Sequence, residues 1–184
     1  MKTLFTSVFF TLMSLVVNAQ HENHAATANA TNVQSKSPRK TAMALVGKNH
    51  VHIDYGSPSV RGRNIWNGLV AYDQVWATGA HKATWVEFSS DVKIAEKKIT
   101  KGKYGFFTIP GKDEWVLILN KDWDMHLADS YKMENDLVRV AVKPIVRKEI
   151  TEALTYKVIR NSSDRGKIEV SWEYLTVSLD FQNL

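Results

Sequence analysis

Two arginines offer the clearest binding chemistry in this sequence. Arg61 and Arg63 flank a glycine just after a Gly-Ser-Pro-Ser turn. A guanidinium presents planar N–H donors that match a carboxylate, phosphate or sulfate group. The pair therefore predicts one of two arrangements, which the sequence leaves open. The arginines form a clamp for an anionic ligand, or they make internal salt bridges to Asp54, Asp73 or Glu87 that hold the loop in place.

A tryptophan-rich loop follows the arginines and adds candidates for ring stacking. Trp76, with Trp66 and Trp85, can form a platform for a sugar or aromatic ring, or can fill the core of the domain. The backbone N–H of Gly79 can meet an anion, and His81 lies two residues further on. The candidate ligand-binding residues are Tyr55, Arg61, Arg63, Trp76, Thr78, Gly79 and His81.

Histidines on one strand suggest a metal site, which the rest of the sequence does not support. His50 and His52 alternate with apolar residues, so a strand would place their imidazoles on one face, about 7 Å apart. The same alternation gives the polar face of an ordinary amphipathic strand. No third histidine has a matching spacing, and we therefore expect no metal and no other cofactor.

Catalytic patterns are present but unspecific. Asp122 and Asp124 alternate in one loop and can supply a general acid and base. A serine of the 57–59 turn, with His81 and Asp54, has the residue types of a triad, but no G-x-S-x-G elbow is present. We expect a non-catalytic ligand- or glycan-binding module rather than an enzyme. A metal-independent hydrolase of a glycan or ester and a structural envelope interaction domain remain the alternatives.

Short strands must position these residues. Val51, Ile53 and Tyr55 alternate with polar residues, the pattern of a strand with one buried face. About ten such segments, separated by short turns and lacking helical periodicity, follow one another from residue 41 to residue 181. The last three are Glu152 to Ile159, Lys167 to Trp172 and Leu175 to Phe181. This spacing predicts an all-β fold, a single antiparallel β-sandwich or jelly-roll-like domain.

The N-terminal segment has the features of an export signal. Lys2 precedes an apolar run, which ends before the small residues of Val17-Asn18-Ala19 that a signal peptidase reads. The run is shorter than the roughly 20 residues of a transmembrane helix. We expect an exported protein, periplasmic or secreted, with no membrane span after signal cleavage. Its predicted parts are a signal peptide (1–19), a disordered N-terminal arm (20–40) and the β-sandwich domain (41–182).

Composition excludes several classes of function. The net charge is +5, but basic residues are scattered among acidic ones and form no basic helix, so nucleic-acid binding is not expected. The chain has no cysteine, and disulfides, thiolate nucleophiles and iron–sulfur clusters are therefore impossible. The partners that remain are a small anionic or carbohydrate ligand, or another envelope protein.

Several motifs, in order, resemble the DUF2911 family of exported bacterial proteins of unknown function. They are DYGSPSVRGR (54–63), VWATGA (75–80) and GKYGFFTIP (102–110), followed by Trp115. The resemblance covers roughly residues 37–181 and implies a single all-β domain behind a signal peptide, without implying a reaction. This chain has His81 where the family's loop typically has asparagine, and His50 and His52 are also atypical. These departures count against a family-wide histidine metal site.

Overall fold

The computed structural model describes residues 36–184, so the predicted signal peptide and most of the predicted arm lie outside the described residues. Within this range the chain forms ten strands and one short 3-10 helix, Met133–Asn135. The strands are β1 Arg39–Val46, β2 Asn49–Gly56, β3 Trp85–Phe88, β4 Val92–Ile94, β5 Lys97–Ile99, β6 Gly102–Ile109, β7 Trp115–Asn120, β8 Asp136–Val142, β9 Ile145–Arg160 and β10 Arg165–Asn183.

The strands form two antiparallel sheets. One sheet has six strands in the order β1-β2-β3-β6-β7-β8, and the other has four in the order β5-β4-β10-β9. No helix in residues 36–184 has both the length and the apolar character needed to cross a bilayer. The predicted all-β, antiparallel β-sandwich is confirmed.

Alternating side chains explain how the two sheets pack. In β2, Val51, Ile53 and Tyr55 are buried, whereas the intervening residues are half-buried on the outer face. Buried residues from β9 and β10 form the inner face of the second sheet and pack against these side chains. Tyr55 packs against Tyr156 of β9 with ring centroids 4.6 Å apart, and Phe88 packs against Phe181 of β10 at 5.5 Å. Burial of these apolar faces between the sheets is the main stabilising contribution.

The second sheet differs from the prediction in strand length. β9 begins at Ile145, seven residues before the predicted start at Glu152. The first six residues of β9 are exposed, so they show no alternation of apolar and polar residues from which a strand could be predicted. β1 likewise begins at Arg39, two residues before its predicted start.

β10 doubles back on itself, a feature with consequences for the site. An extended strand of this length would separate its ends by about 60 Å. Instead, the N–H of Asn183 donates to the carbonyl of Asp164 at 2.7 Å. The bend lies at Glu173, which has a φ of 53°, and the hydroxyls of Ser171 and Thr176 meet across it at 2.9 Å. The bend places Trp172 and Glu173 at one end of the sandwich.

Candidate functional site

The segment of residues 57–63, here called the Pro58 loop, links the two sheets. It follows β2 of the six-stranded sheet directly. Its other contacts are to β9, because the N–H of Val60 donates to the carbonyl of Glu152 at 2.7 Å and the carbonyl of Pro58 accepts from Leu154 at 2.9 Å. The hydroxyl of Ser57 donates to the carbonyl of Leu154 at 2.8 Å. The loop is therefore held rigidly along one edge of the second sheet.

A pocket of about 370 Å³ lies beside this loop and brings together four of the seven candidate residues. It is here called the Trp76 pocket. The four are Arg63, Trp76, Gly79 and His81. Its other lining residues are mostly apolar: Ser37, Pro58, Leu69, Val70, Ala80, His126, Leu127 and Trp172. The pocket thus combines an apolar interior with a few polar groups, the composition usual for small-molecule sites.

Clustered indole rings support the pocket. Trp76 stacks on Trp172, with ring centroids 5.7 Å apart and an interplanar angle of 22°. Trp66 meets both rings edge-on, at 6.1 Å and 5.9 Å, and its Nε1 donates to Glu173 at 2.7 Å. Trp76 is itself held by a hydrogen bond from its Nε1 to the carbonyl of Gly79, at 3.2 Å. Trp76 is therefore a fixed wall of the pocket.

Arg63 carries a positive charge at the pocket without a carboxylate partner among residues 36–184. Its Nε donates to the carbonyl of Val60 at 3.1 Å, and its Nη2 donates to the carbonyl of Ser59. Within the same range no group accepts from its Nη1. The alternative of salt bridges to Asp54, Asp73 or Glu87 is not what the structure shows, since Asp54 pairs with Arg39 instead.

Two histidines line the pocket from neighbouring loops. The carbonyl of His81 accepts from the N–H of Leu127 at 2.6 Å, which joins the loop after Trp76 to the loop after β7. In that second loop, Nδ1 of His126 lies 2.8 Å from an oxygen of Asp129. The carboxylate orients the His126 ring, whereas no such partner within residues 36–184 orients His81.

Tyr55 and Thr78 lie in the core, beneath the pocket. Tyr55 is 3% exposed, and burial raises the pKa of its hydroxyl. The Thr78 hydroxyl bonds to Thr108 at 3.0 Å, and its carbonyl accepts from the hydroxyls of Thr84 and Tyr156. Both residues therefore support the walls of the pocket without lining it.

Arg61 lines a different depression from Arg63. Its Nη2 donates to the carbonyl of Lys36 at 2.7 Å, and it borders a cleft together with Lys36 and Lys40. Its backbone N–H donates to a side-chain oxygen of Glu152 at 2.8 Å. The two arginines thus do not form the shared clamp that their spacing suggested.

The residues of the other two catalytic patterns, the serine triad and the Asp122/Asp124 pair, make structural contacts. Ser57 is buried and bonded to β9, as described above, and Ser59 lines the depression of Arg61 and not the pocket of His81. Asp54 pairs with Arg39, so the serine triad does not form. Asp122 and Asp124 border a separate depression of about 370 Å³, and neither of them lines the Trp76 pocket. Asp122 accepts a hydrogen bond from Asn135 at 2.6 Å, and Asp124 is exposed and pairs with Lys82.

The strand histidines are part of an outer aromatic surface. The ring of His52 packs edge-on against Trp85 with centroids 5.0 Å apart, and His50 is exposed. In the part of the chain that the structure describes, no group of three His, Asp or Glu side chains is arranged to hold a metal ion.

The family of the chain follows from comparison with known sequences. Residues 37–181 match the model of a protein of unknown function, DUF2911. The chain belongs to the DUF2911 family. The match confirms the resemblance seen in the sequence motifs. Comparison with curated proteins and with solved structures gives no match. Because the matched range contains all of the pocket residues, the Trp76 pocket is a feature of the DUF2911 domain itself.

Eight of the twelve pocket residues were not among the sequence candidates, and three of these eight lie far along the chain from the Pro58 loop. His126 and Leu127 lie in the irregular loop after β7, and Trp172 lies at the bend of β10. The spacing of His126 and Asp129, three residues apart in a loop between strands, is a sequence signal that could have identified this region. Nothing in the sequence around Trp172 distinguishes it from other core tryptophans.

Proposed function

We propose that this DUF2911 domain is an exported, non-catalytic binding domain whose Trp76 pocket takes a small molecule with an apolar body and a carboxylate or phosphate group. The single observation that carries the proposal is the guanidinium of Arg63, which has no carboxylate partner among residues 36–184, at the edge of an apolar pocket.

Export is supported by the signal features of residues 1–19. N-terminal sequencing of the protein recovered from the periplasm or medium should begin at Gln20.

The lining of the pocket favours a ligand with an apolar part. Trp76, Val70 and Leu127 present carbon surfaces that gain about 25 cal/mol for each Å² removed from water. A volume of about 370 Å³ lies within the range of small-molecule sites, roughly 300–1,000 Å³. A ring or a short alkyl chain would fill it. A sugar ring would have Trp76 as its stacking platform, since the neighbouring indoles are packed into the cluster.

The polar groups on the pocket wall favour a ligand with an anionic group. Nη1 of Arg63 keeps its N–H donors, and His81 and His126 add imidazoles to the same lining. No acidic side chain of residues 36–184 lines the pocket. A carboxylate there would form charge-assisted hydrogen bonds, each contributing about 1.5–3 kcal/mol when partly shielded from water.

Replacing Arg63 with glutamine should remove the preference for an anion. We expect the purified protein to bind 3-phenylpropionate at least ten times more tightly than its neutral amide, 3-phenylpropionamide. In Arg63→Gln the carboxylate should lose about tenfold in affinity or more, the equivalent of one charge-assisted hydrogen bond, while the amide is unaffected. Isothermal titration calorimetry, or ¹⁵N NMR if binding is weak, measures both ligands.

Lys82→Gln is the matched control, because Lys82 is an exposed cation near the pocket that does not line it. Equal affinity for the acid and the amide in the wild-type protein would contradict the anionic part of the proposal. Tight binding of N-acetylglucosamine oligomers, with no binding of either phenylpropionate derivative, would replace the proposal with a glycan-binding function.

A hydrolase of small esters is the second candidate, supported by the His126–Asp129 pair. With Asp129 accepting from Nδ1, the free Nε2 of His126 can take a proton from water as it attacks an ester carbonyl. In this hydrolase, His126 would act as the general base in place of His81. The pair is exposed, at 63% and 65% of side-chain area, and a shielded nucleophile and an oxyanion site are not part of it. For these reasons we place binding first.

Ester turnover distinguishes the two functions. We expect the purified protein to hydrolyse phenyl acetate no faster than free imidazole at the same concentration. The hydrolase function is supported instead if the wild-type rate of hydrolysis is well above that level and falls to background in both His126→Ala and Asp129→Asn. His50→Ala is the control, since His50 is an exposed histidine outside the pocket.

A further inference from the structure

A second depression lies on the other side of the Pro58 loop and is lined by three basic residues. Lys36, Lys40 and Arg61 border a shallow cleft of about 240 Å³, here called the Lys40 cleft. The uncharged residues around it are Pro38, Ser57, Ser59 and Ala153. Within the described residues, 36–184, the lining therefore carries three positive charges and no carboxylate.

These charges lack ion-pair partners in residues 36–184. The Arg61 guanidinium donates only to a backbone carbonyl, that of Lys36, and no carboxylate of this range pairs with Lys36 or Lys40. The neighbouring residue of β1, Arg39, behaves differently, because it pairs with Asp54. The carboxylate of Glu152 lies next to the cleft, where its Oε1 accepts a hydrogen bond from the backbone N–H of Arg61 at 2.8 Å.

The cations are presented by rigid parts of the fold. Lys40 lies in β1, opposite Tyr55 of β2. Arg61 lies in the Pro58 loop, in the left-handed region with a φ of 50°, and the contacts of Ser57 and Val60 with β9 fix the loop on both sides of the cleft. The backbone that carries Lys40 and Arg61 is thus held in place, so binding of an anion would need to order only their side chains.

We propose that the Lys40 cleft binds a tetrahedral oxyanion, a phosphate or sulfate group carried by a larger molecule. Converging ammonium and guanidinium groups suit such an anion, because it offers acceptor oxygens in several directions and up to two negative charges. The group belongs to a soluble phosphate ester or to a lipid headgroup, which share this chemistry. The site is separate from the Trp76 pocket and does not depend on the function proposed for it.

Sodium pyrophosphate is the probe for the shared chemistry. ¹⁵N NMR titration of the purified protein, against sodium chloride at equal ionic strength, should shift the amides of Ser57 and of residues 59–62 and leave those of Gly79 and Ala80 unchanged. Lys40→Gln and Arg61→Gln should each weaken binding about fivefold, as expected for the loss of one exposed charge contact. Lys48 is an exposed lysine at the opposite end of the β1–β2 hairpin, and Lys48→Gln should have no effect.

Vesicles distinguish the two sources of the group. Binding to phosphatidylglycerol vesicles, but not to phosphatidylcholine vesicles, that is lost in Lys40→Gln assigns the cleft to a lipid headgroup. Pyrophosphate binding without vesicle binding assigns it to a soluble ester. The proposal is overturned if pyrophosphate shifts no amides beyond the chloride control, or if Lys48→Gln weakens binding as much as Lys40→Gln.

Discussion

Replacing Trp172 with alanine should lower the free energy of unfolding by about 3–5 kcal/mol, the usual range for a large aromatic residue deleted from a core. Trp172 is 2% exposed and contacts two other indoles, Trp66 and Trp76, which both also pack against Trp115. Its removal enlarges the Trp76 pocket, which Trp172 also lines, and takes away part of the support of the cluster. Urea denaturation followed by tryptophan fluorescence and circular dichroism measures the loss.

Trp123→Ala is the matched control for this change. Trp123 lies outside the cluster, is half-buried on the outer aromatic surface, and contacts Trp85 and the ammonium group of Lys103. Its loss should cost much less than that of Trp172, because an exposed edge contact and a cation–π contact each contribute only about 0.5–1.5 kcal/mol. Equal losses in the two variants would contradict the assignment of Trp172 to the core that supports the pocket.

Gly56→Ala should lower the free energy of unfolding by about 2–3 kcal/mol, the cost typical of overpacking. Gly56 ends β2, and a Cβ added there would lie 2.1 Å from the carbonyl oxygen of Ala80. Backbone, rather than a flexible side chain, would have to move. Because Ala80 precedes His81, we also expect weaker binding of 3-phenylpropionate. Thermal and urea denaturation, with the titration described above, test both effects.

Gly62→Ala separates crowding from backbone strain. Gly62 has a φ of 67°, but nothing lies within 4 Å of a Cβ added to it. Alanine at this position should therefore cost only the intrinsic penalty of the left-handed region, about 1–2 kcal/mol. A smaller loss in Gly56→Ala than in Gly62→Ala would show that the loop carrying Ala80 adjusts freely, contrary to a preformed pocket wall.

Much of the fold was predictable because most strands bury one face. The alternation of Val51, Ile53 and Tyr55 follows directly from the two-residue repeat of a strand. Segments that bury neither face carry no such signal, and the exposed start of β9 at Ile145 was missed for that reason. The bend of β10 was anticipated in part, since two strands were predicted on either side of Glu173, where the chain reverses.

The site was predictable only where its residues are close in sequence. Arg63, Trp76, Gly79 and His81 lie within 19 residues, at the ends of strands that the pattern identified. His126 and Trp172 reach the same pocket through the packing of distant loops, which no local pattern encodes. Thr78 shows the opposite error. It sits between two pocket residues, but a φ of 48° and its bond to Thr108 turn it into the core.

The central claim is that the Trp76 pocket binds a small anion with an apolar body, and the location of a bound probe tests it most directly. In a ¹⁵N NMR titration of the purified protein with 3-phenylpropionate, we expect the shifts to be largest at the amides of Arg63, Gly79, His81 and Leu127. The indole N–H signal of Trp76 should shift as well. Shifts confined to residues 57–62, or no shifts at millimolar probe, would contradict the claim.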